Sequence, residues 1–466
     1  MPYRLTLARM AQLIAGRRLS PVELVESIVR QIERNNPRLN AFIEVYEEQA
    51  LQSAARLADQ LVRSGPAGPL HGVPVTVKDS LDIAGRVTYC GSLLRRGLVA
   101  EAHAAAVDRL LAAGAILLGK TSTPEFLYNY ETDNRLIGRT SNPWNAEWTA
   151  GGSSGGEAAA IASLMSPGGI GSDGGGSIRE PAHFCGICGL KPTPGRISSI
   201  GHWPPIVEPA GFLGVVGPMA RAVGDVEILF EVLAAPDPRD PYAHPPVQYP
   251  PFSSRVRFAV LRQPGQTGIQ ARCLAAVDHA VRLLREAGRE VVEFDFRLLA
   301  GAHELWRFLF IDWSAPGVRA FIAGRESDCC WSGLELPSLV ERQAPPTAEQ
   351  LASVRAHQAR MRSELIAWLG CETLVLMPGF GVTAFPHRQR RFPTPAGEID
   401  LLDAVRTVSP ANVLGLPSLS VPVLAGGGEA PAGVQILGPP DSEPLLLAAG
   451  RLLEHLRGPL PAPADC

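Results

Sequence analysis

Apolar residues recur every three to four positions after Ser20-Pro21-Val22-Glu23, so that Leu24, Val25, Ile28, Val29 and Ile32 share one side of a helix. Ser20 and Glu23 make a capping box, and Pro21 takes the first helical position, where an N–H would have no partner anyway. Helical periodicity returns at residues 47–63, 103–114 and about 272–287. The runs between are shorter and more uniformly apolar. Val73, Val75 and Val77 surround Pro74, and Ile116-Leu117-Leu118-Gly119, Phe258-Ala259-Val260-Leu261, Glu290-Val291-Val292-Glu293-Phe294, Leu374-Val375-Leu376 and Leu419-Ser420-Val421 follow. Such runs suit strands covered on both faces. Their alternation with helices predicts an α/β fold, a central mixed β-sheet covered by helices on both faces. Proline-rich stretches at 236–251 and 378–395 punctuate it without reading as flexible linkers.

Three segments carry chemistry together: Gly72-Val73-Pro74-Val75-Thr76-Val77-Lys78-Asp79, Gly151-Gly152-Ser153-Ser154-Gly155-Gly156, and Gly171-Ser172-Asp173-Gly174-Gly175-Gly176-Ser177-Ile178-Arg179. Amide hydrolysis needs a nucleophile, a base and an acid for the poor amine leaving group. Two serines and a lysine can supply all three without histidine or metal. A lysine acts as a base only when neutral, which burial at the end of an apolar strand promotes. Taken alone, Lys78 would read as a surface residue at a strand end; the serine segments place it inside. Gly174-Gly175-Gly176-Ser177 can present several unobstructed N–H groups, the geometry of a nest for an oxyanion.

The run from Gly171 to Arg179, continued by Pro181, Phe184-Cys185-Gly186 and Gly189-Leu190-Lys191-Pro192-Thr193, closely resembles the signature of the amidase signature family, and the lysine and double-serine segments match it in the same order. The resemblance covers most of the chain, strong over about 68–220 and loose over about 240–410. It implies one compact domain over residues 1–466. It also implies a hydrolase cleaving a carboxylic amide through a Ser-cisSer-Lys relay and an acyl-enzyme, with no cofactor and no metal. Ser177 is then the nucleophile, Ser153 the bridge and Lys78 the base. The amides of Gly174, Gly175, Gly176 and Ser177 form the oxyanion hole, and Asp173 and Arg179 support the site. Ser154 either supports by hydrogen bonding or caps the helix opening at Glu157, and the two roles are compatible.

Two other motifs match by accident. Gly152-Ser153-Ser154-Gly155-Gly156 fits the nucleophile elbow of α/β-hydrolases, but a turn-rich stretch from Asn142 to Trp148 precedes it instead of a hydrophobic strand. Gly169-Ile170-Gly171-Ser172-Asp173-Gly174 fits the dinucleotide fingerprint, yet more glycine follows instead of a helix. Among the eight cysteines, Cys185 and Cys188 form a lone C-x-x-C without the second pair a zinc site needs, with only His183 and the remote His202 near. They read as buried small residues, and Cys329, Cys330 and Cys466 as unpaired thiols. That usage suits a reducing compartment.

With 46% hydrophobic and 19% charged residues and a net charge of −3, the composition is that of a soluble enzyme with no electrostatic footprint for nucleic acid. No apolar run approaches a membrane span and no signal peptide is evident, so a cytoplasmic location is expected. The expected partner is a small amide, with a homodimer as an option. Trp306, Phe308, Phe310, Trp313, Phe321 and Trp331 crowd one loose stretch. They read either as a helix packing into the core or as an apolar wall for the acyl group, and Trp306, Phe310, Trp313 and Phe380 are the pocket candidates. His387 reads as structural. Two alternatives stay open: the glutaminase-type subunit of a tRNA-dependent amidotransferase, and a non-catalytic binding protein on the same fold.

Overall fold

The computed structural model describes residues 1–464 except 210, 264, 266 and 340–344; Cys466 lies outside the described residues. Eleven strands among them form one sheet: β1 (Phe42–Val45), β2 (Pro74–Lys78), β3 (Ile116–Thr121), β4 (Gly168–Asp173), β5 (Cys188–Lys191), β6 (Val215–Ala220), β7 (Arg257–Val260), β8 (Val291–Glu293), β9 (Thr373–Pro378), β10 (Ser418–Gly426) and β11 (Glu429–Leu437). Their spatial order is β1-β3-β2-β4-β6-β5-β10-β11-β9-β7-β8. The pairs β2/β3, β2/β4, β7/β9 and β7/β8 are parallel and the others antiparallel, so the sheet is mixed as expected.

The periodic segments fold where the pattern puts them. Helices run over Pro21–Leu39, with the Ser20/Glu23 capping box formed, and over Glu47–Ser64, Ala105–Ala112 and Ala271–Glu286. Strand β4 escapes the hydrophobic pattern, because Gly168-Gly169-Ile170-Gly171-Ser172-Asp173 has too little side chain to show one. Its glycines answer crowding from neighbours. A Cβ on Gly169 would collide with the Thr76 carbonyl oxygen and the Glu157 carboxylate. Asn145–Thr149, in the stretch expected to be turn-rich, is a strand, but it pairs with Ser141–Asn142 in a small hairpin outside the main sheet, with one further bridge from Trp148 to Pro386.

The arrangement that bears on function is at the C-terminal edge of two interior strands. Strands β2 and β4 run parallel with Thr76 opposite Gly169 and Val77 opposite Ile170. Both strands therefore deliver their C-terminal residues, Lys78 and Ser172-Asp173, to the same place. The helix Gly155–Ala162, buried along its whole length, precedes β4 and brings Ser153-Ser154 to that edge. A second, aromatic-rich core including Trp306, Phe184 and Phe380 adjoins the sheet beyond it. Among the described residues no helix is long and apolar enough to cross a membrane.

Candidate active site

Lys78 is completely buried, as are Val73, Val75 and Val77 before it. Its Nζ lies 2.7 Å from Ser153 Oγ, 3.0 Å from Ser172 Oγ and 3.2 Å from Ser172 O. A neutral amine has two N–H donors and one lone pair. Donating twice to Ser172 leaves the lone pair for the Ser153 hydroxyl proton. Burial drives the Lys78 ammonium down to about 7, against an opposing pull from Cys90, Asp173 and Glu157.

The Gly151–Ser154 turn, whose Gly152–Ser153 peptide is cis, is pinned by its backbone. Gly152 N–H donates to Glu180 Oε2 at 2.9 Å, and Thr132 Oγ1 donates to Gly151 O at 2.8 Å. Ser154 does not cap its helix with its side chain. Its hydroxyl donates to Ser172 O at 3.3 Å and accepts from Ser172 N–H at 3.4 Å, so of its two expected roles only support is observed.

After β4 the chain turns through Gly174-Gly175-Gly176. Gly176 has φ +108°, and a Cβ there would lie 2.6 Å from Val408 Cγ2. Trp306 Nε1–H donates to Gly174 O at 3.0 Å, Tyr130 Oη donates to Gly175 O at 2.8 Å, and Glu180 N–H donates to Gly176 O at 2.7 Å. In a trans peptide the next N–H points opposite the carbonyl. These bonds therefore aim the N–H groups of Gly175, Gly176 and Ser177 away from Trp306, Tyr130 and Glu180. The Gly176 N–H is taken by Asp173 Oδ1 at 2.7 Å, a correction to the four-amide hole. Those of Gly174, Gly175 and Ser177 meet no acceptor among the described residues. Asp173 also accepts from Ile178 N–H at 3.1 Å and pairs with Arg179, two of whose guanidinium nitrogens lie 3.0 and 3.1 Å away. Burial alone would raise the Asp173 carboxyl, but the Arg179 guanidinium holds it well below the usual carboxylate range. The guanidinium also donates to Asn412 Oδ1 at 2.6 Å, Gln435 Oε1 at 2.9 Å and Val408 O at 3.0 Å.

Ser153, Ser172, Asp173, Gly174 and Ser177 all line one cavity of about 210 Å³. The Ser177 hydroxyl makes no hydrogen bond to Ser153 or to any other described residue. Of the four pocket candidates, Phe310 lines the cavity. Trp306 is buried behind it, stacked on Phe310 and bonded to Gly174. Phe380 is buried against Tyr130 and Phe184, and Trp313 packs on Phe308; neither reaches the cavity. His387 lies 3.3 Å from the buried Glu131 carboxylate, outside the cavity.

Several participants carry too little signal for the sequence to reveal them. Ser172, the second partner of Lys78, stands in the glycine-rich segment but on a strand that the hydrophobic pattern does not show. Glu157 lies buried between the Thr76 and Thr121 hydroxyls, and burial pushes it up to about 7. Phe126, Tyr128 and residues drawn from 202–207 and 211–215 supply most of the cavity wall. The 202–207 stretch holds adjacent prolines with no periodicity to flag it. The Cys185 and Cys188 thiols are buried and pushed well up by burial.

A family model described as Amidase matches residues 23–447, and the chain belongs to that family. It is 32% identical over 458 residues to an indoleacetamide hydrolase of Bradyrhizobium diazoefficiens, covering 95% of this chain and 84% of that one. It is 34% identical over 478 residues to a glutamyl-tRNA(Gln) amidotransferase subunit of Syntrophobacter fumaroxidans, covering 96% of each. A solved structure of a 6-aminohexanoate cyclic dimer hydrolase with its substrate superposes with a TM-score of 0.85 at 26% identity, over 100% of this chain and 99% of that one. The protein is an amide-hydrolysing enzyme.

Proposed function

We propose that this enzyme hydrolyses small neutral amides with an apolar or aromatic acyl part through an acyl-enzyme on Ser177. Ser177 Oγ attacks the scissile carbonyl as its proton passes to Ser153 Oγ, whose own proton passes to Lys78 Nζ. The carbonyl oxygen, now an oxyanion, is held by free N–H groups of Gly174, Gly175 and Ser177. The proton returns from Lys78 through Ser153 to the departing nitrogen, and water then releases the acid by the same steps. The observation that carries this reading is a buried lysine 2.7 Å from a serine that shares a cavity with Ser177.

The acyl preference rests on the cavity. Its walls are Phe126, Leu127, Tyr128, Phe310, Ile206 and Leu213, and no lysine or arginine side chain lines it among the described residues. Asp173, the one carboxylate present, is already paired with Arg179. Such a site has no anchor for the charged ends of glutamine, which supports an apolar amide over the amidotransferase reading. A cavity of roughly 150 Å³ accepts benzene, so 210 Å³ holds one ring and a short acyl arm. The relative named an indoleacetamide hydrolase supports the same size class.

Fluorophosphonate labelling followed by a p-nitroanilide series of rising acyl length tests it. Mass spectrometry should place the adduct on Ser177, arylacetyl groups should outrun acetyl, and glutamine should be left intact. An adduct on Ser154 or efficient glutamine hydrolysis would refute the corresponding part.

A further inference from the structure

One buried acceptor at the cavity wall has nothing to accept. His202 shares the cavity lining with Ser153 and Ser177 and is only 9% exposed. Its Nδ1 lies 2.8 Å from the Pro204 carbonyl oxygen. A carbonyl oxygen only accepts, so Nδ1 carries the proton and donates it. That leaves Nε2 as a bare lone pair, buried and with no hydrogen-bond partner among the described residues. Burial also lowers the imidazole to about 4, which keeps the ring neutral and Nε2 an acceptor near neutral pH. Buried polar atoms without partners are rare enough in native proteins to require a reason.

The position of His202 says which donor would suit it. The residue bridges to Leu81, three positions beyond Lys78, and Trp203 N–H donates to Ser80 O at 2.7 Å. His202 therefore sits on the lysine's side of the cavity. In the relay proposed above, on which this step rests, Lys78 and Ser153 return the proton to the leaving nitrogen, so that nitrogen departs on the same side.

We infer that His202 Nε2 accepts a hydrogen bond from the N–H of the scissile amide and so selects amides over esters. As the nitrogen gains its proton and becomes a leaving amine, its N–H grows more acidic and the bond strengthens. The interaction thus stabilises the transition state more than the bound substrate. An ester offers only lone pairs at the same place.

Phenylacetamide and methyl phenylacetate share an acyl part and differ in that N–H, so their kcat/KM values, both reporting acylation, test the proposal. His202→Phe should lower the amide-to-ester ratio about 10- to 100-fold, the loss expected for one hydrogen bond to a group gaining charge. His202→Asn can keep the bond to Pro204 while lacking Nε2, and should show the same fall in a folded protein. His202→Gln, which reaches the Nε2 position, should recover most of the ratio. Equal losses on both substrates in His202→Asn would overturn the proposal and leave His202 as a residue that holds its turn. Failure of the relay itself would show separately, as Ser177→Ala retaining activity on both substrates.

Discussion

Replacing Lys78 by methionine should abolish activity and yet make the protein more stable at neutral pH. The side chain is wholly buried, and burial lowers its ammonium from 10.5 to about 7. Between those values the unfolded chain holds a proton that folded Lys78 does not, so native stability rises with pH across that window. Below about 7 both states are charged and the full penalty stands. At about 1.4 kcal/mol per pH unit, the ceiling of that penalty is on the order of 5 kcal/mol. Methionine is similar in length and uncharged, but forfeits the bonds to Ser153 and to Ser172, each worth about 0.5–1.5 kcal/mol. A net gain of about 1–3 kcal/mol is expected at pH 7. Urea unfolding of both proteins at pH 7 and pH 10 measures it, and by pH 10 the advantage should have nearly gone or reversed. A methionine variant equally destabilised at both pH values would refute the reasoning, because Lys78 would then not be a cation strained by burial.

Ser153→Ala should lose about 10² to 10⁴-fold in kcat while remaining folded, and Lys78→Ala/Ser153→Ala should lose far less than the product of the single losses, because both act in one relay; steady-state kinetics on the single and double variants decide it. The pH profile of kcat/KM should rise tenfold per unit to a plateau with an apparent value near 7, that of Lys78; His183 and His202, both lowered to about 4 by burial, cannot supply such a limb. Glu157→Gln keeps a partner for the Thr76 and Thr121 hydroxyls but removes a charge that favours the Lys78 cation, so that limb should move to lower pH; an upward move would contradict the assignment. Phe310→Ala should cost on the order of tenfold in kcat/KM on arylacetamides and admit bulkier acyl groups, read from the acyl series.

The three residues proposed to carry the chemistry are legible because that chemistry would constrain their neighbours as well as themselves: a β-branched strand before Lys78, glycines around each serine. Their supporting shell is not. Ser172 stands on β4 and Glu157 lies against Gly169 of the same strand, whose residues are small because β2 and the helix Gly155–Ala162 press against it, so the crowding that defines the strand also erases its hydrophobic pattern. The aromatic segment is recognisable as apolar, but its orientation is not. A π-helical stretch at Phe308–Asp312 shifts the helical phase, turning Phe310 to the cavity, with Trp306 packed behind it and Trp313 against Phe308. Periodicity counted at 3.6 residues per turn cannot foresee that shift.

Neutral Lys78 also depends on what is denied to it. A carboxylate paired with its ammonium would hold the proton on; buried Asp173 and Glu157 both act on Lys78, and buried Asp79 follows it in the chain. Asp173 is bound to Arg179 on two oxygens, and Asp79, the next residue in the chain, lies 2.8 Å from Lys120. Glu157 is pushed up to about 7 by its own burial, which blunts its charge at neutral pH. The buried cations Arg179 and Lys120 thus act at a distance on the base, by engaging the anions that would otherwise claim it. The same Asp173 also accepts from Asn412 Nδ2 and from the N–H groups of Gly176 and Ile178, the last two shaping the turn that carries Ser177. One ion pair therefore serves both ends of the proposed relay, keeping an anion from the proposed base and holding the turn that carries Ser177 in place.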